Sequence, residues 1–179
     1  MAEKNDELVT KLLWVDLEMT GLDPETDRIL EVAAIVTDFD FNELDRFDMP
    51  VYQSDEVLAH MNEWCVVTHT QSGLVERVKQ AQPEQEVVKA FISFITTYIS
   101  DEPVVLAGNN IHQDRRFIRQ WWPDVEALLH YRMLDVSSYK LVMVNKYNKV
   151  FEKKKTHRAL DDIEESIAEL KFYLQEPAA

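Results

Sequence analysis

Two acidic residues at the end of an apolar run are the first candidates for chemistry in this chain. Residues 12–18 read LLWVDLE, with β-branched and aromatic members, the pattern of a strand buried on both faces in the middle of a sheet. Side chains alternate across a strand, so Asp16 and Glu18 project from one face, roughly 6 to 7 Å apart at about 3.3 Å per residue. Anions that close repel, and a buried carboxylate is costly unless it is paired or binds a metal. A divalent cation resolves the conflict; alternatively both acids simply end the strand at the solvent boundary, and this stretch alone leaves the two readings open. Gly21 closes the turn MTGLDP, which puts the pair at the carboxyl end of a strand, where open α/β sheets place their ligands.

Other acids could join them. Asp114, in AGNNIHQD, falls in the first turn of an expected helix, where the helix dipole favours an anion and where an aspartate is also an ordinary helix-start residue. Near the chain end, HRALDD offers Asp161 and Asp162. At 100° per residue from the apolar face of the final helix, Asp161 points away from the core and is expected in solvent, whereas Asp162 falls on the flank and can look back toward the sheet. His157 and Asp162 are about 140° apart on one continuous helix, so they converge only if His157 stands in a turn before it. A lone histidine before a helix is more often structural than catalytic.

These side chains need a scaffold, and the rest of the chain supplies one. RILEVAAIVTDFDF (28–41) reads as a second strand, Asn42-Glu43 as a turn and residues 44–51 as a third strand, an antiparallel meander with the first. Ser54 to Met61 and the stretch after Ser72-Gly73 carry helix signals. Pro83 to Tyr98 is the clearest helix, with Val87, Phe91, Phe94, Ile95 and Tyr98 on one stripe. PVVLA (103–107) is a fourth, buried strand, followed by a helix over 113–121 that Pro123 interrupts. YRMLDV (131–136) is a fifth strand, after which Ser137 is expected to cap a helix starting near Tyr139. Residues 145–155 read as a basic loop and 159–174 as the last helix. The order implies an α/β fold, a mixed five-stranded sheet flanked by helices, in one domain over 11–174 with a flexible N-terminus (1–10) and a short C-terminal tail (175–179).

Composition narrows the class. A length of 179 residues suits one substantial core, and 46% hydrophobic with 29% charged residues is globular. No segment approaches the roughly 18 to 20 apolar residues of a membrane span, and the opening MAEKNDE is too polar for a secretory signal. Cys65 is the only cysteine, which fits a reducing cytoplasm. The formal charge of -14 repels long nucleic acids, whose binding rests on basic residues neutralising many phosphates. A nucleic-acid substrate must therefore be short, or be met by metal ions and a few local arginines.

Asp-x-Glu on a first strand, Asp after a fourth and His-x4-Asp at a final helix together resemble the DEDD exonucleases of the ribonuclease H-like fold, in their His-containing branch. WVDLEMTGLD, AGNNIHQDRRF, YRMLDVS and HRALDDIEESIAEL stand in family order and are similar to the oligoribonucleases, over almost the whole chain from Leu12 to Leu174. The resemblance implies that Asp16, Glu18, Asp114 and Asp162 hold two divalent metal ions, Mg²⁺ or Mn²⁺, and that His157 is the general base. It implies hydrolytic release of 5′-mononucleotides from the 3′ end of very short RNA, dinucleotides above all, which also removes the charge problem because few counterions are involved. Leu22 matches a leucine that wedges beside the bases, and Trp64 and His69 match residues lining the pocket; Trp64 read alone is a core aromatic. Tyr131, Arg132 and Ser137 match the cap over the substrate's terminal phosphate, with Tyr131 contributing to catalysis from across a homodimer, in the partner subunit's site. The chain departs from the pattern at Asn110, where many relatives carry serine, and at His112, which reads as a helix-entry residue. Rival readings are a related exonuclease acting on DNA or longer RNA, and a nucleic-acid-binding module without activity.

Overall fold

The computed structural model describes residues 8–152 and 158–175. Strands β1 (Lys11–Met19), β2 (Ile29–Asp38) and β3 (Glu43–Pro50) form the antiparallel meander, and β4 (Val104–Gly108) and β5 (Leu129–Asp135) add on in parallel, giving the order β3-β2-β1-β4-β5. This is the mixed, helix-flanked sheet of the ribonuclease H-like class. Gly108 is what lets β4 close on β1, because a Cβ there would lie 2.9 Å from the Val15 carbonyl oxygen.

Alternation along β1 divides the core in two. Leu13, Val15 and Leu17 face α4 (Glu84–Tyr98), α5 (His112–Trp121) and α6 (Pro123–Glu126), packing with Phe91, Phe117 and Trp122. Leu12 and Trp14 face α8 (Ala159–Leu174), with Ile163, Leu170 and Tyr173. Each such fully buried side chain is worth roughly 1.5 to 3 kcal/mol of transfer free energy, so both layers are strongly held. Trp14 also finds a partner for its indole N–H in the Thr37 hydroxyl, at 2.9 Å. Asp16 and Glu18 continue the row of Leu12 and Trp14, and so emerge on the face that α8 covers.

Three local expectations need correction. The second strand stops at Asp38, short of Phe41, because the Asp38 carboxylate accepts from both the backbone N (2.8 Å) and the side-chain Nδ2 (2.9 Å) of Asn42, while Phe41 adopts φ 61°. Besides the short α1 (Asp55–Leu58) and α3 (Leu74–Lys79), there is an unforeseen helix, α2 (Glu63–Gln71), capped by Asn62 Oδ1 accepting from Cys65 N at 2.9 Å. It buries only Cys65 and His69 and exposes Trp64, Val66 and Val67, so it has no apolar stripe for periodicity to detect. The seventh helix, α7 (Val136–Tyr147), begins earlier than expected: Asp135 is its cap, accepting from Ser137 N at 2.9 Å, and Ser137 itself lies in the first turn. It runs on to Asn148, whose φ of 51° ends it inside the stretch expected to be loop.

Candidate active site

At the carboxyl end of β1, Asp16 and Glu18 meet Asp162 from the first turn of α8, and each of the three offers an oxygen within 4.8 Å of the others. The helix is held there by its own bonds, with Asp162 N donating to Arg158 O at 2.9 Å and the Ser166 hydroxyl to the Asp162 carbonyl at 2.8 Å. Asp161 is half-buried rather than solvated, on the wall of a neighbouring cavity with Arg77 and Arg158. Asp114 comes from α5 on the other face. Beyond Gly108, β4 no longer runs beside β1, and Asp114 Oδ1 takes the Leu17 N–H at 3.0 Å instead.

The electrostatics follow from this crowding. Burial first, then the charges of Asp114, Glu18 and Asp162, push the Asp16 carboxyl well above the usual carboxylate range. Burial, with Glu31, Asp162 and Asp114 adding repulsion, raises Glu18 to about 8. Glu31 sits directly across from Glu18 on β2 and ion-pairs with Arg77 at 2.5 Å. Burial raises Asp114 to about 7, although the N–H groups of Leu17 and of Asp114 itself favour its ionised form. Carboxyls driven toward protonation by one another regain their charge when a cation joins them, and hard oxygen donors suit a divalent ion such as Mg²⁺ or Mn²⁺. The donor set therefore fits a metal.

Beside the acids lies an open cavity of about 230 Å³, walled by Glu18, Asp162, Leu22, Trp64, Thr68 and His69. Leu22 and Trp64 are exposed on its rim, at 68% and 61%. The Trp64 side chain is thus a surface aromatic, not a core one. His69 is fully buried; its Nε2 lies 2.9 Å from the Met19 carbonyl, so Nε2 carries the proton and Nδ1 turns its lone pair toward Glu18, 3.9 Å away. Desolvation lowers the pKa of this imidazole, keeping it neutral.

The remaining expected residues lie elsewhere. Tyr131, Arg132 and Ser137 do not line this cavity. Tyr131 and Arg132 are exposed on edge strand β5, the Tyr131 ring packed at a tilt against His130 with centroids 4.3 Å apart and the guanidinium of Arg132 5.4 Å over it. The Ser137 hydroxyl accepts from Asn110 N at 3.0 Å and donates to Asn109 Oδ1 at 3.2 Å, joining the β5–α7 corner to the loop that leads into α5. Asn110 holds φ 51°, and His112 stands at the helix entry with Nδ1 3.7 Å from Asp135. His157 lies outside the described residues.

Sequence reading passed over the residues that brace this arrangement. Asn109 donates to Ser166 Oγ (2.7 Å) and to the wholly buried Glu169 (3.2 Å), tying the α5 entry to α8; Tyr173 OH donates to Glu169 as well, at 2.9 Å. Arg115 fastens α5 to Glu126 and to the His130 carbonyl at 2.8 Å, which fixes β5. Periodicity does not mark Glu169, which at 100° per residue falls about 140° from the apolar face of α8 although it is wholly buried.

The RNase_T exonuclease family model matches residues 13–170. Oligoribonuclease from Francisella tularensis subsp. holarctica is 51% identical over 170 residues, 92% of this chain and 94% of the relative. Oligoribonuclease from Vibrio vulnificus is 49% identical over 170 residues, 92% and 93% of the two chains. Among solved structures, the exonuclease I–single-stranded DNA complex of E. coli superposes with a TM-score of 0.71 at 18% identity over 91% of this chain. Exonuclease I from Methylocaldum szegediense gives 0.69 at 18% over 92%. This chain spans only 40% of either exonuclease I, so that likeness concerns the fold.

Proposed function

Since the chain belongs to the oligoribonucleases, within a family of exonucleases, we propose that it is a metal-dependent 3′-to-5′ exoribonuclease that cuts very short RNA, dinucleotides above all, into 5′-mononucleotides. The observation that carries this reading is the convergence of Asp16, Glu18 and Asp162 beside a cavity rimmed by Leu22 and Trp64.

In this reading Asp16, Glu18, Asp114 and Asp162 hold two divalent cations, Mg²⁺ or Mn²⁺. When bound, such ions offset the charge that develops on the attacking and leaving oxygens and acidify the attacking water. His157 accepts the water's proton, a task suited to an imidazole with an ordinary pKa near 6.5. Trp64 stacks on a base, worth about 1 to 3 kcal/mol whatever the base, and Leu22 covers the other side, while His69 shapes the inner wall. Arg132 neutralises the substrate's terminal phosphate by bidentate contact, and Ser137 belongs to the same cap.

A homodimer belongs to the same reading, with Tyr131 completing the partner subunit's site. Its support is the outer edge of the sheet, where β5 exposes Tyr131 and Met133 and α7 exposes Leu141 and Val142. A strand edge left unpaired among the described residues, beside apolar side chains, is a surface that calls for cover. Among the described residues no helix is long and apolar enough to cross a membrane. We assign the protein to the cytoplasm on the free, buried thiol of Cys65, whose pKa burial raises.

The test is turnover on RNA of two to ten nucleotides with Mg²⁺ or Mn²⁺, with Asp162→Ala as control. Cleavage steeply favouring the dinucleotide and lost in the variant is expected; equal turnover at every length, or activity surviving in the variant, overturns the reading.

A further inference from the structure

The loop bearing Leu22 owes its shape to one side chain. Asp27 Oδ1 accepts from the Thr20 hydroxyl at 2.8 Å and Oδ2 from Asp23 N at 2.9 Å, so a single carboxylate bridges the residues on either side of Gly21 and Leu22. Thr20 is buried and tied to the base of the loop, donating N–H to Arg28 O (2.9 Å) and accepting from Arg28 N (3.0 Å). Arg28 in turn lies 3.6 Å over the ring of Trp121 on α5. The carboxylate fills the inside of the loop so closely that a Cβ on Gly21 would stand 2.7 Å from Asp27 Cγ and Oδ1.

Every anchor of this loop is therefore on its inner side, and the residue at its tip, Leu22, is left 68% exposed on the cavity wall. An apolar side chain held in water gains by being covered, and a braced loop has already lost its freedom on folding rather than on binding. We propose that Asp27 is a positioning residue for substrate binding: by bridging Thr20 and Asp23 it holds Leu22 where a base entering the cavity will cover it. The inference rests on the reading of Leu22 as a base-facing wedge.

Steady-state kinetics on a diribonucleotide, with wild type, Asp27→Ala, Leu22→Ala and the double variant, test it. Asp27→Ala raises KM roughly tenfold, the worth of one or two ordinary hydrogen bonds, with kcat nearly unchanged. Once Leu22 is alanine, the same change leaves KM within about twofold, because the two residues act as one unit. Asp27→Asn raises KM less than Asp27→Ala does, since its oxygen can still accept from Asp23 N while its amide, facing the Thr20 hydroxyl, cannot accept that proton. A merely structural role for Asp27 lowers the folded fraction, and with it apparent kcat, without moving KM. Gly21→Ala is the second variant: it displaces the carboxylate and is expected to reproduce the rise in KM, again only while Leu22 is present. If Leu22→Ala leaves KM at the wild-type value, the wedge reading fails and the proposal falls with it. If Leu22→Ala raises KM but Asp27→Ala does not, or the two effects multiply independently, the proposal alone is overturned.

Discussion

Loading the acid cluster with a divalent cation must expel protons, and the number can be worked out from the site. At pH 7 a carboxyl with a pKa of about 8, as Glu18 has, is about nine-tenths protonated, and one of about 7, as Asp114 has, about half. Glu18 and Asp114 together then give up about 1.4 protons for each cluster filled, and Asp16, pushed well above its usual range, adds to that number. Apparent Mg²⁺ affinity then rises between about tenfold and a hundredfold from pH 6 to pH 7, and levels off above about pH 8. The assay is calorimetry of Mg²⁺ or Mn²⁺ binding to chelator-stripped protein, in buffers matched in pH but differing in ionisation enthalpy, so that the slope of observed heat against buffer enthalpy counts protons. A slope of zero, with affinity flat from pH 6 to pH 8, refutes the reasoning, because it means that the carboxyls are already ionised and that no cation is needed to hold them together.

Stability in chelator follows the same logic. Because the folded-state pKa values of Glu18 and Asp114 are raised, their contribution is fully present below the ordinary carboxylate range, about pH 4, and is lost progressively from there as pH rises through about 7 to 8. Tm in EDTA is expected to fall over that window and to recover with Mg²⁺, as differential scanning fluorimetry will read. Glu169→Ala removes the acceptor for Asn109 and for Tyr173 OH inside a fully buried pocket; a loss of about 2 to 4 kcal/mol in urea unfolding is expected, and less than about 0.5 kcal/mol contradicts a bracing role. Leu141→Asp on the exposed face of α7 is expected to shift the sedimentation profile to monomer, and an unchanged profile removes that face from the proposed dimer contact.

Amino-acid order alone prescribes the elements whose side-chain period is unambiguous. The helix ending the chain is legible at its own bounds, Ala159–Leu174, because Ile163, Ile167 and Leu170 recur on one face. The strand ending in Asp16 and Glu18 is legible because its apolar run has no polar break before them. From the alternation of β1, a shared face for Asp16 and Glu18 follows from the sequence alone, whereas Asp161 and Asp162 differ by only about 20° in their angle from the apolar face of α8 and are both half-buried. Helix α2, which carries Trp64 and His69, was not legible, since a helix lying on the surface with only Cys65 and His69 turned inward leaves no periodic trace. Periodicity describes how each element divides its own faces, and it is silent on what lies opposite. Only packing decides that Asp114 reaches the Leu17 N–H where β4 ends, that Glu31 stands across from Glu18, that Asn109 binds Glu169 sixty positions later, and that Tyr131 lies on an open edge. These contacts join residues far apart along the chain, and burial and mutual repulsion, which push the carboxyls toward protonation, act only once the chain has closed around them.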